Sequence, residues 1–508
     1  VMEGRFHDSR MIVAKPEELR GRANIIHDGG RRPLTAMFGR DETNNGGGYD
    51  IYVVFEDIEK HTFVTVKAIF DPDGELTYPS LTRIIPGAGW YEREINDMFG
   101  IVPQGHPDLR PLVLHESFPG DYYPLRKNVN KTGQVRGERE FPIAVAKGEG
   151  LFQVPVGPIH AGIIEPGHFR FSQAGESMLQ LDAKLFFTHR GIEKAMEGLT
   201  PQEALPIAER VCGACSIANT WGFCQAVEKI SGIQVPKRAE IIRTLLSEIE
   251  RVTNHVGDIG NIPAGVGFQP AISLGARLKE HLMRLQEHIT GNRFLRGMII
   301  LGGVSMDIPP DLSDDILSVI AETENGVNDM EVLFVQQENF QNRIRTTGTV
   351  RPQTARDLAM VGVGARASGY AHDSRRDFDY GVYSSLSFAV RTQSGGDVAA
   401  RLKQRFDELK ESFSMIRQLI VMLKQEKTGL MIHVEFKAGE AYGISESARG
   451  SNFWYVAVDE AGTIDRVFIR SASYPNWPAL TIAVQGDIIP DFPLINKSFE
   501  LCYACIDR

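Results

Sequence analysis

Four of the five cysteines form two widely separated C-x-x-C pairs, Cys212 with Cys215 and Cys502 with Cys505. A spacing of two residues lets both thiolates of a pair point at one metal ion, and two pairs supply four sulfur ligands. Thiolates prefer soft or borderline metals. The pattern therefore predicts a metal centre, and five cysteines are too few for a disulfide scaffold in a chain of 508 residues.

The spacing by itself leaves the kind of metal centre open. A zinc ribbon normally closes a loop of roughly 15 to 20 residues between its two pairs, whereas residues 216–501 lie between these two. Zinc, an iron–sulfur cluster and a catalytic metal all stay open on spacing alone. The fifth cysteine, Cys224, stands by itself on a predicted helix and is interpreted as a buried structural thiol.

The composition is that of a soluble globular protein, with 42% hydrophobic and 24% charged residues and a formal net charge of −10. Without a basic region, nucleic acid is not expected as a partner. The most apolar stretch, residues 298–306, is far shorter than the roughly 20 residues that cross a bilayer. Any membrane association is therefore expected to go through other subunits. The lack of a secretory leader and the few cysteines predict a reducing, cytoplasmic setting.

The elements that must position the cysteines predict an α+β protein. Residues 1–127 are expected to form a small α/β domain, because segments 49–56 and 62–70 have the β-branched and aromatic residues typical of strands. Residues 128–151 are a polar predicted linker. Residues 152–508 are expected to form a mainly helical catalytic domain with short strands near the C-terminus.

Apolar residues that recur every three or four positions predict three long helices in the second domain. The three stripes are Ile241, Leu245, Ile249, Val252 and Val256; Leu278, Leu282, Leu285 and Ile289; and Leu402, Phe406, Leu409, Phe413, Ile416 and Leu419. We interpret them as the core of a helical bundle and not as a cofactor site. Segments 453–458 and 466–469 predict short strands that would cap this bundle.

The residues that flank both cysteine pairs resemble those of NiFe hydrogenase large subunits. ERVCGAC (209–215) is similar to the R-x-C-G-x-C motif of that family, and CYACIDR (502–508) to its terminal C-x-x-C-x-x-His/Arg motif. The resemblance implies that all four thiolates bind nickel, and that Cys215 and Cys505 also bridge to an iron carrying carbon monoxide and cyanide. In this family a maturation protease cuts after the final His or Arg, so a chain ending at Arg508 is expected to be the processed form.

Two further motifs suggest residues around the metal. EPGHFRF (165–171) resembles a family motif in which a glutamate passes protons from a nickel thiolate, which makes Glu165 the candidate proton gate. ESARG (446–450) resembles an element whose arginine, here Arg449, lies over the open face of the metal centre. The resemblance thus implies Glu165, Arg449 and Cys502 as catalytic residues.

An R-G-x-E element that contains Glu193 precedes the first cysteine pair. In some hydrogenases this glutamate helps to hold a magnesium or iron ion near the C-terminus, so Glu193 is a candidate metal ligand; the alternative is an ion pair with Arg508. Three departures from the family pattern leave the thiolates intact but affect their surroundings: Ala448 replaces a proline, Glu500 an aspartate and Asn219 a histidine.

The N-terminal domain narrows the resemblance to one subclass. WYEREINDMFGI (90–101) and GHPDLR (105–110) resemble the 30 kDa subunit of respiratory complex I, while RGMIILGGV (296–304) and RRD (375–377) resemble its 49 kDa subunit. A fusion of both that keeps four cysteines resembles the large subunit of group 4, formate hydrogenlyase type, membrane-associated hydrogenases. The alternatives are a complex I-like fusion subunit that binds quinone, which would lack these cysteines, and a scaffold with structural zinc.

The resemblance also implies a reaction and a set of partners. The reaction is the reversible reduction of protons to H2. Only Cys224 is left once nickel is bound, so this chain cannot hold a four-cysteine cluster. Electrons are therefore expected from a small subunit with a 4Fe-4S cluster and from ferredoxin-like electron-transfer subunits. Antiporter-like membrane subunits and a formate dehydrogenase are further expected partners, at the cytoplasmic face of the membrane.

Overall fold

The structure is a computed structural model that describes residues 6–7, 9–129, 135–160 and 164–508. Part of the predicted linker, residues 130–134, lies outside the described residues. The N-terminal part consists mainly of strands, with the following bounds: β1 (Phe6–His7), β2 (Ser9–Ala14), α1 (Leu19–His27), β3 (Leu34–Asp41), β4 (Tyr49–Asp57), β5 (Thr62–Phe70), β6 (Thr77–Pro79), α2 (Gly89–Phe99) and β7 (Val102–Gln104).

The middle of the chain begins with three strands and continues as helices. Its elements are β8 (Leu151–Val156), β9 (His168–Ala174), β10 (Ser177–Lys184), α3 (Ile192–Met196), α4 (Pro201–Glu209), α5 (Ser216–Ser231), α6 (Lys237–Asn261), α7 (Gln269–Thr290), β11 (Ile299–Ile300), β12 (Gly303–Val304), α8 (Pro310–Gln336), α9 (Glu338–Ile344), α10 (Pro352–Asp357), α11 (Gly362–Ala367), α12 (Ser374–Asp377) and α13 (Val398–Gln425). The C-terminal part contains β13 (Gly439–Ser447), β14 (Gly450–Val458), β15 (Ile464–Arg470), α14 (Ser473–Ala483), α15 (Phe492–Phe499) and α16 (Tyr503–Asp507).

The long helices α6, α7, α8 and α13 pack against one another as a bundle. Every residue of the three predicted stripes is buried, on α6, α7 and α13. The α+β fold class and the bundle are therefore confirmed. No helix within the described residues combines the length and the apolar character that a bilayer crossing requires.

Two four-stranded sheets lie face to face beside the bundle. One has the order β2-β5-β4-β3 and the other the order β1-β13-β14-β15. Aromatic rings join them, with Phe38 and Phe468 stacked at 4.7 Å between centroids and Tyr52 tilted against Tyr455 at 5.4 Å. The predicted division at residues 127 and 152 stays a prediction, and the short strand β1 pairs with β13 of the second sheet.

The expectation that the C-terminal strands form a cap is wrong, because their sheet lies inside the molecule. All nine residues of β14 are buried, with α5 packed on one side and the N-terminal sheet on the other. The run Phe-Trp-Tyr-Val-Ala-Val in residues 453–458 has no polar alternation, which is typical of a strand that is buried on both faces. Helix α5 approaches β13 so closely that a Cβ atom on Gly443 would lie 1.9 Å from the carbonyl oxygen of Gly222.

Candidate metal centre

The two cysteine pairs converge in the fold at the start of two helices. Cys215 precedes α5 and Cys502 precedes α16, which carries Cys505. The sulfur atoms of Cys212, Cys502 and Cys505 all lie within 4.8 Å of one another, and those of Cys212 and Cys502 are 3.5 Å apart. The thiol of Cys215 interacts with those of Cys212 and Cys505. The two cysteine pairs, which residues 216–501 separate in the sequence, thus place their four sulfur atoms in one pocket.

Helix α6 fixes the first pair. The carboxylate of Glu250 accepts hydrogen bonds from the backbone N–H groups of Ile217 at 2.7 Å and Ala218 at 3.2 Å. One turn further along, the Asn254 side-chain amide donates to the carbonyl of Ala214 at 2.7 Å. The two bonds to Glu250 satisfy N–H donors at the N-terminus of α5 that have no partner within the helix. The bundle therefore holds the loop with Cys212 and Cys215 directly.

The second pair is held by contacts from several elements. The Cys502 N–H donates to the hydroxyl of Ser473 at 2.9 Å, and the Ala504 N–H donates to Glu165 Oε2 at 2.7 Å. The guanidinium of Arg190 donates to the carbonyl of Ala504, also at 2.7 Å. The half-buried carboxylate of the predicted proton gate, Glu165, therefore contacts the turn between Cys502 and Cys505.

The four thiols cannot all be negatively charged while they lie this close together. Hydrogen bonds from Cys212 and Cys505 lower the pKa of Cys502 well below its usual value. A hydrogen bond with Cys212 raises the pKa of Cys215 to about 12, and contacts with the other three thiols raise the pKa of Cys505. A bound metal cation removes this limit, because a coordinating thiol is deprotonated outright.

This donor set fits a metal bound by thiolates. All four cysteines are free of disulfides, and three of them are buried while Cys502 is partly exposed. Soft sulfur donors suit zinc, iron–sulfur clusters and nickel far better than calcium or magnesium. The arrangement therefore matches the predicted four-thiolate site, and the choice among those metals depends on the surrounding residues.

Arg449 lies against the sulfur atoms, as the family motif implies. Its Nη1 is 4.0 Å from the Cys215 sulfur and 3.1 Å from Asn254 Oδ1, and its Nη2 is 3.3 Å from Asp258 Oδ1. Its Nε donates to the backbone carbonyl of Glu500. Burial opposes the charge, but Asp258 and the thiols raise the pKa of Arg449 well above its ordinary value, so it stays a cation beside the thiolates.

Glu193 lies in an ion-pair network. Its carboxylate accepts from Arg466 Nη1 at 2.7 Å and from Arg508 Nη1 at 2.9 Å, and the Ile469 N–H donates to it at 3.2 Å. Both oxygens are thus engaged by donors, and two guanidinium groups repel a cation. The geometry favours the predicted alternative, the ion pair with Arg508, over a magnesium site.

Cys224 takes no part in the sulfur cluster. Its side chain is buried in the main hydrophobic core, whereas the other four cysteines pack together with Ala214 and Ala218. Burial raises its pKa well above the ordinary value of a thiol. The interpretation of Cys224 as a buried structural thiol agrees with this placement.

Sequence reasoning missed the polar face of α6. Glu250, Asn254 and Asp258 follow one another at four-residue intervals, which places all three on one side of the helix. All three are buried in the structure and face the first pair or Arg449. Their four-residue spacing was a signal in the sequence, but the prediction considered only the apolar stripe of the same helix.

Comparisons with known proteins show similarity to hydrogenase subunits and to respiratory-chain subunits. The chain matches family models described as "Respiratory-chain NADH dehydrogenase, 30 Kd subunit" over residues 12–135, "Nickel-dependent hydrogenase" over 190–257 and "Respiratory-chain NADH dehydrogenase, 49 Kd subunit" over 265–434 and 427–508. It is 34% identical to formate hydrogenlyase subunit 5 of Escherichia coli over 490 residues, which are 94% of this chain and 84% of that protein. The chain belongs to the group 4, formate hydrogenlyase type, NiFe hydrogenase large subunits. The predicted fusion is thereby confirmed.

The same family extends to complex I. The chain is 28% identical to the NADH-quinone oxidoreductase C/D protein of Phocaeicola vulgatus over 498 residues, with 94% of this chain and 95% of that protein covered. A solved structure of the membrane-bound sulfane sulfur reductase, an archaeal respiratory membrane complex, matches 71% of this chain and 99% of its own chain at 27% identity and a TM-score of 0.67. The names of these relatives describe different reactions, those of a hydrogenlyase, a quinone oxidoreductase and a sulfur reductase. The choice among these reactions for this chain therefore depends on its thiolate site.

Proposed function

We propose that this chain is the catalytic large subunit of a membrane-associated NiFe hydrogenase that reduces protons to H2, reversibly. The convergence of Cys212, Cys215, Cys502 and Cys505 in one buried pocket carries the proposal. Membership of the hydrogenase family and the match to a nickel-dependent hydrogenase model support nickel over zinc at these sulfurs. On this proposal all four thiolates would hold the nickel, and Cys215 and Cys505 would also help to hold an iron that carries carbon monoxide and cyanide.

When bound, a nickel-iron centre supplies the redox change and the Lewis acidity needed to split or form H2. The chain's own residues supply charge and proton transfer. Arg449 keeps a fixed positive charge 4.0 Å from the Cys215 sulfur, which stabilises the thiolate form. Glu165 lies at the turn between Cys502 and Cys505, where it can take a proton released at Cys502 and pass it outward.

The relatives suggest the setting in which this reaction would run. They include a formate hydrogenlyase subunit and a chain of an archaeal respiratory membrane complex. We infer peripheral attachment to the cytoplasmic face of the membrane through antiporter-like subunits. We further infer electron supply from a small subunit with a 4Fe-4S cluster and ferredoxin-like subunits, with a formate dehydrogenase as the candidate donor.

The direct test is replacement of Cys505, whose thiol contacts the other three thiols. We expect Cys505→Ser to lose nickel retention and H2 evolution together, because a serine hydroxyl is a far weaker ligand for a soft metal. Nickel and iron content and the infrared CO and CN stretches of the purified complex are the measurements. Cys224→Ala is the matched control, since it removes a buried thiol outside the cluster and should keep nickel and activity.

Two outcomes would contradict the proposal. Wild-type protein that contains zinc and no nickel would favour the structural scaffold. A Cys505→Ser variant that still evolves H2 would show that the four-thiolate pocket is not the site of the reaction, and would favour a role like that of the quinone-linked relatives.

A further inference from the structure

Arg508 binds between two carboxylates that come from distant parts of the chain. Its Nη2 donates to Glu94 Oε1 at 2.7 Å and Oε2 at 2.6 Å, and its Nη1 donates to Glu193 Oε1 at 2.9 Å. Glu193 belongs to the R-G-x-E element near the first cysteine pair. Glu94 lies on α2, in the segment that matches the 30 kDa subunit model. The N-terminal region thus contacts the residue three positions beyond Cys505.

We propose that Glu94 is a positioning residue for the metal centre, which acts through Arg508 on the segment that carries Cys502 and Cys505. This inference rests on the proposed function, because it assumes that these thiolates hold the metal. It adds a residue outside the sequence motifs that surround the cysteines, from a region otherwise remote from the sulfur atoms.

The short helix α16 explains why such an anchor is needed. It spans only Tyr503–Asp507, and a helix this short is not stable without outside contacts. Its N-terminal end is held by Glu165 and Arg190 at Ala504. Its C-terminal end depends on Asp507, which accepts from the Thr188 N–H at 3.0 Å, and on Arg508. A shift at Arg508 therefore moves Cys505 by way of a single helical turn.

The charges around Arg508 are balanced, and the balance requires Glu94. Arg508, Arg466, Glu94 and Glu193 are all buried, and they comprise two cations and two anions. Tyr474 donates to Glu94 Oε2 at 2.6 Å and fixes the carboxylate in place. Without the charge on Glu94, two guanidinium groups would share one carboxylate, and a buried charge without a partner is strongly unfavourable.

The guanidinium of Arg508 reaches both carboxylates through different nitrogens. Its Nη2 donates to Glu94 and its Nη1 to Glu193, an arrangement that the single ammonium nitrogen of a lysine cannot reproduce. Packing adds to this, because the guanidinium lies 5.4 Å from the ring centroid of Phe468 and 5.3 Å from that of Tyr474. Docking of the N-terminal region and correct placement of the second cysteine pair are therefore linked, and each should stabilise the other.

The test uses the complete hydrogenase complex purified with its own partner subunits. We expect Glu94→Gln to keep the folded state but to lose nickel to a competing chelator roughly tenfold more readily, as is typical when a residue that orients a metal ligand is changed. Its infrared CO and CN bands should shift as well, which a purely structural role would not cause. Glu94→Asp keeps the charge, so its rate of nickel loss and its band shift should lie between those of the wild type and Glu94→Gln.

The matched control is Glu59→Gln, which removes the carboxylate of an exposed ion pair with Arg31 in the same N-terminal region. It should behave as wild type. If Glu94 acts through Arg508, the double variant Glu94→Gln/Arg508→Lys should retain no less nickel than the worse single variant. Additive losses would overturn the proposed route through Arg508.

Wild-type nickel retention and unshifted bands in Glu94→Gln would overturn the inference. Should that variant fail to fold, Tyr474→Phe provides the second test, because it removes one hydrogen bond to the Glu94 carboxylate while leaving every charge in place. We expect a smaller shift of the same bands, and unchanged bands would again count against the inference. Wild-type complex without nickel or CO and CN bands would contradict the proposed function instead.

Discussion

The two cysteine pairs are supported in opposite ways. Cys212 and Cys215 sit on a loop held by Glu250 and Asn254, both from the middle of one long buried helix. Cys505 sits on a five-residue helix and Cys502 directly precedes it, and the supports of this segment come from residues as distant as Glu94 and Glu165. One half of the site thus belongs to the bundle core, and the other is assembled from remote parts of the chain.

This difference means that the first cysteine pair is positioned when the bundle folds, whereas the second pair is positioned only when distant segments dock. The bundle can hold the first pair in place before any metal arrives, because Glu250 and Asn254 of α6 bind this loop and the start of α5. Arg190 adds a contact from outside the bundle, since it donates to the carbonyl of Val211 at 3.0 Å. The second pair reaches its place only when α16, the R-G-x-E element and α2 have docked around Arg508. Substitutions near the first pair should therefore lower the free energy of unfolding. Substitutions near the second pair should instead lower H2 evolution or nickel retention.

The largest expected effect is on stability, from Glu250→Ala. This change leaves the buried N–H groups of Ile217 and Ala218 without a partner and creates a cavity beside them. We expect a loss of roughly 3–5 kcal/mol in the free energy of unfolding, measured by chemical denaturation. Glu280→Ala, which breaks an exposed pair with Arg284 on α7, is the control and should change little. A Glu250→Ala variant as stable as the wild type would contradict the proposal that Glu250 holds the first cysteine pair.

Next in size is the loss of turnover in Glu165→Gln at the second pair. The amide can still accept the hydrogen bond from the Ala504 N–H, so nickel content and stability should stay close to wild type. Proton transfer should be lost, and we expect H2 evolution to fall at least about a hundredfold. Glu165→Asp, which keeps an ionisable group, should recover part of the rate. Full activity in Glu165→Gln would exclude it as the proton gate.

The smallest expected effect is a pH dependence of the free energy of unfolding. It arises from an ion pair between the N-terminal sheet and the helical region. His372 Nε2 lies 2.6 Å from Glu56 of β4. Burial lowers the pKa of His372, but Glu56, Asp377 and Glu446 raise it overall to about 9, and Arg366 donates to its carbonyl. The stability from this pair is complete below a pH of about 6.5, the usual pKa of histidine, and disappears as the pH rises through about 9.

We therefore expect wild-type protein to lose roughly 2 kcal/mol of stability between pH 7.5 and 10 through this pair. Thermal unfolding of wild type and His372→Gln across that range measures it. The variant should be less stable at pH 7.5 but should lack most of the step. Parallel pH curves for both proteins would show that His372 is not the titrating group.

The sequence predicted the bundle and the thiolates well, because both depend on local patterns. Apolar residues at helical spacing must be buried somewhere, so the stripe on α13 from Leu402 to Leu419 was predictable. The convergence of Cys212 with Cys502 was predictable because four soft donors rarely occur in two such pairs without a shared metal. The family motifs then indicated Arg449, whose contact with Cys215 the structure shows.

What sequence could not predict depends on contacts between distant segments. The strand within β14 was expected to cap the helical bundle, because nothing local shows that both α5 and the N-terminal sheet cover it. The partners of Arg508 were only half predicted: Glu193 was named as its ion-pair partner, whereas Glu94, although it lies in the 90–101 motif, was not. Pairing between buried charges depends on tertiary packing, which leaves no periodic trace in the sequence.

The central claim is that four thiolates of this chain bind one nickel ion. Nickel K-edge X-ray absorption on the purified complex tests it most directly, with the Cys505→Ser variant beside the wild type. We predict nickel surrounded by sulfur neighbours in the wild type and no retained nickel in the variant. Zinc in place of nickel, or nickel with only nitrogen and oxygen neighbours, would contradict the claim.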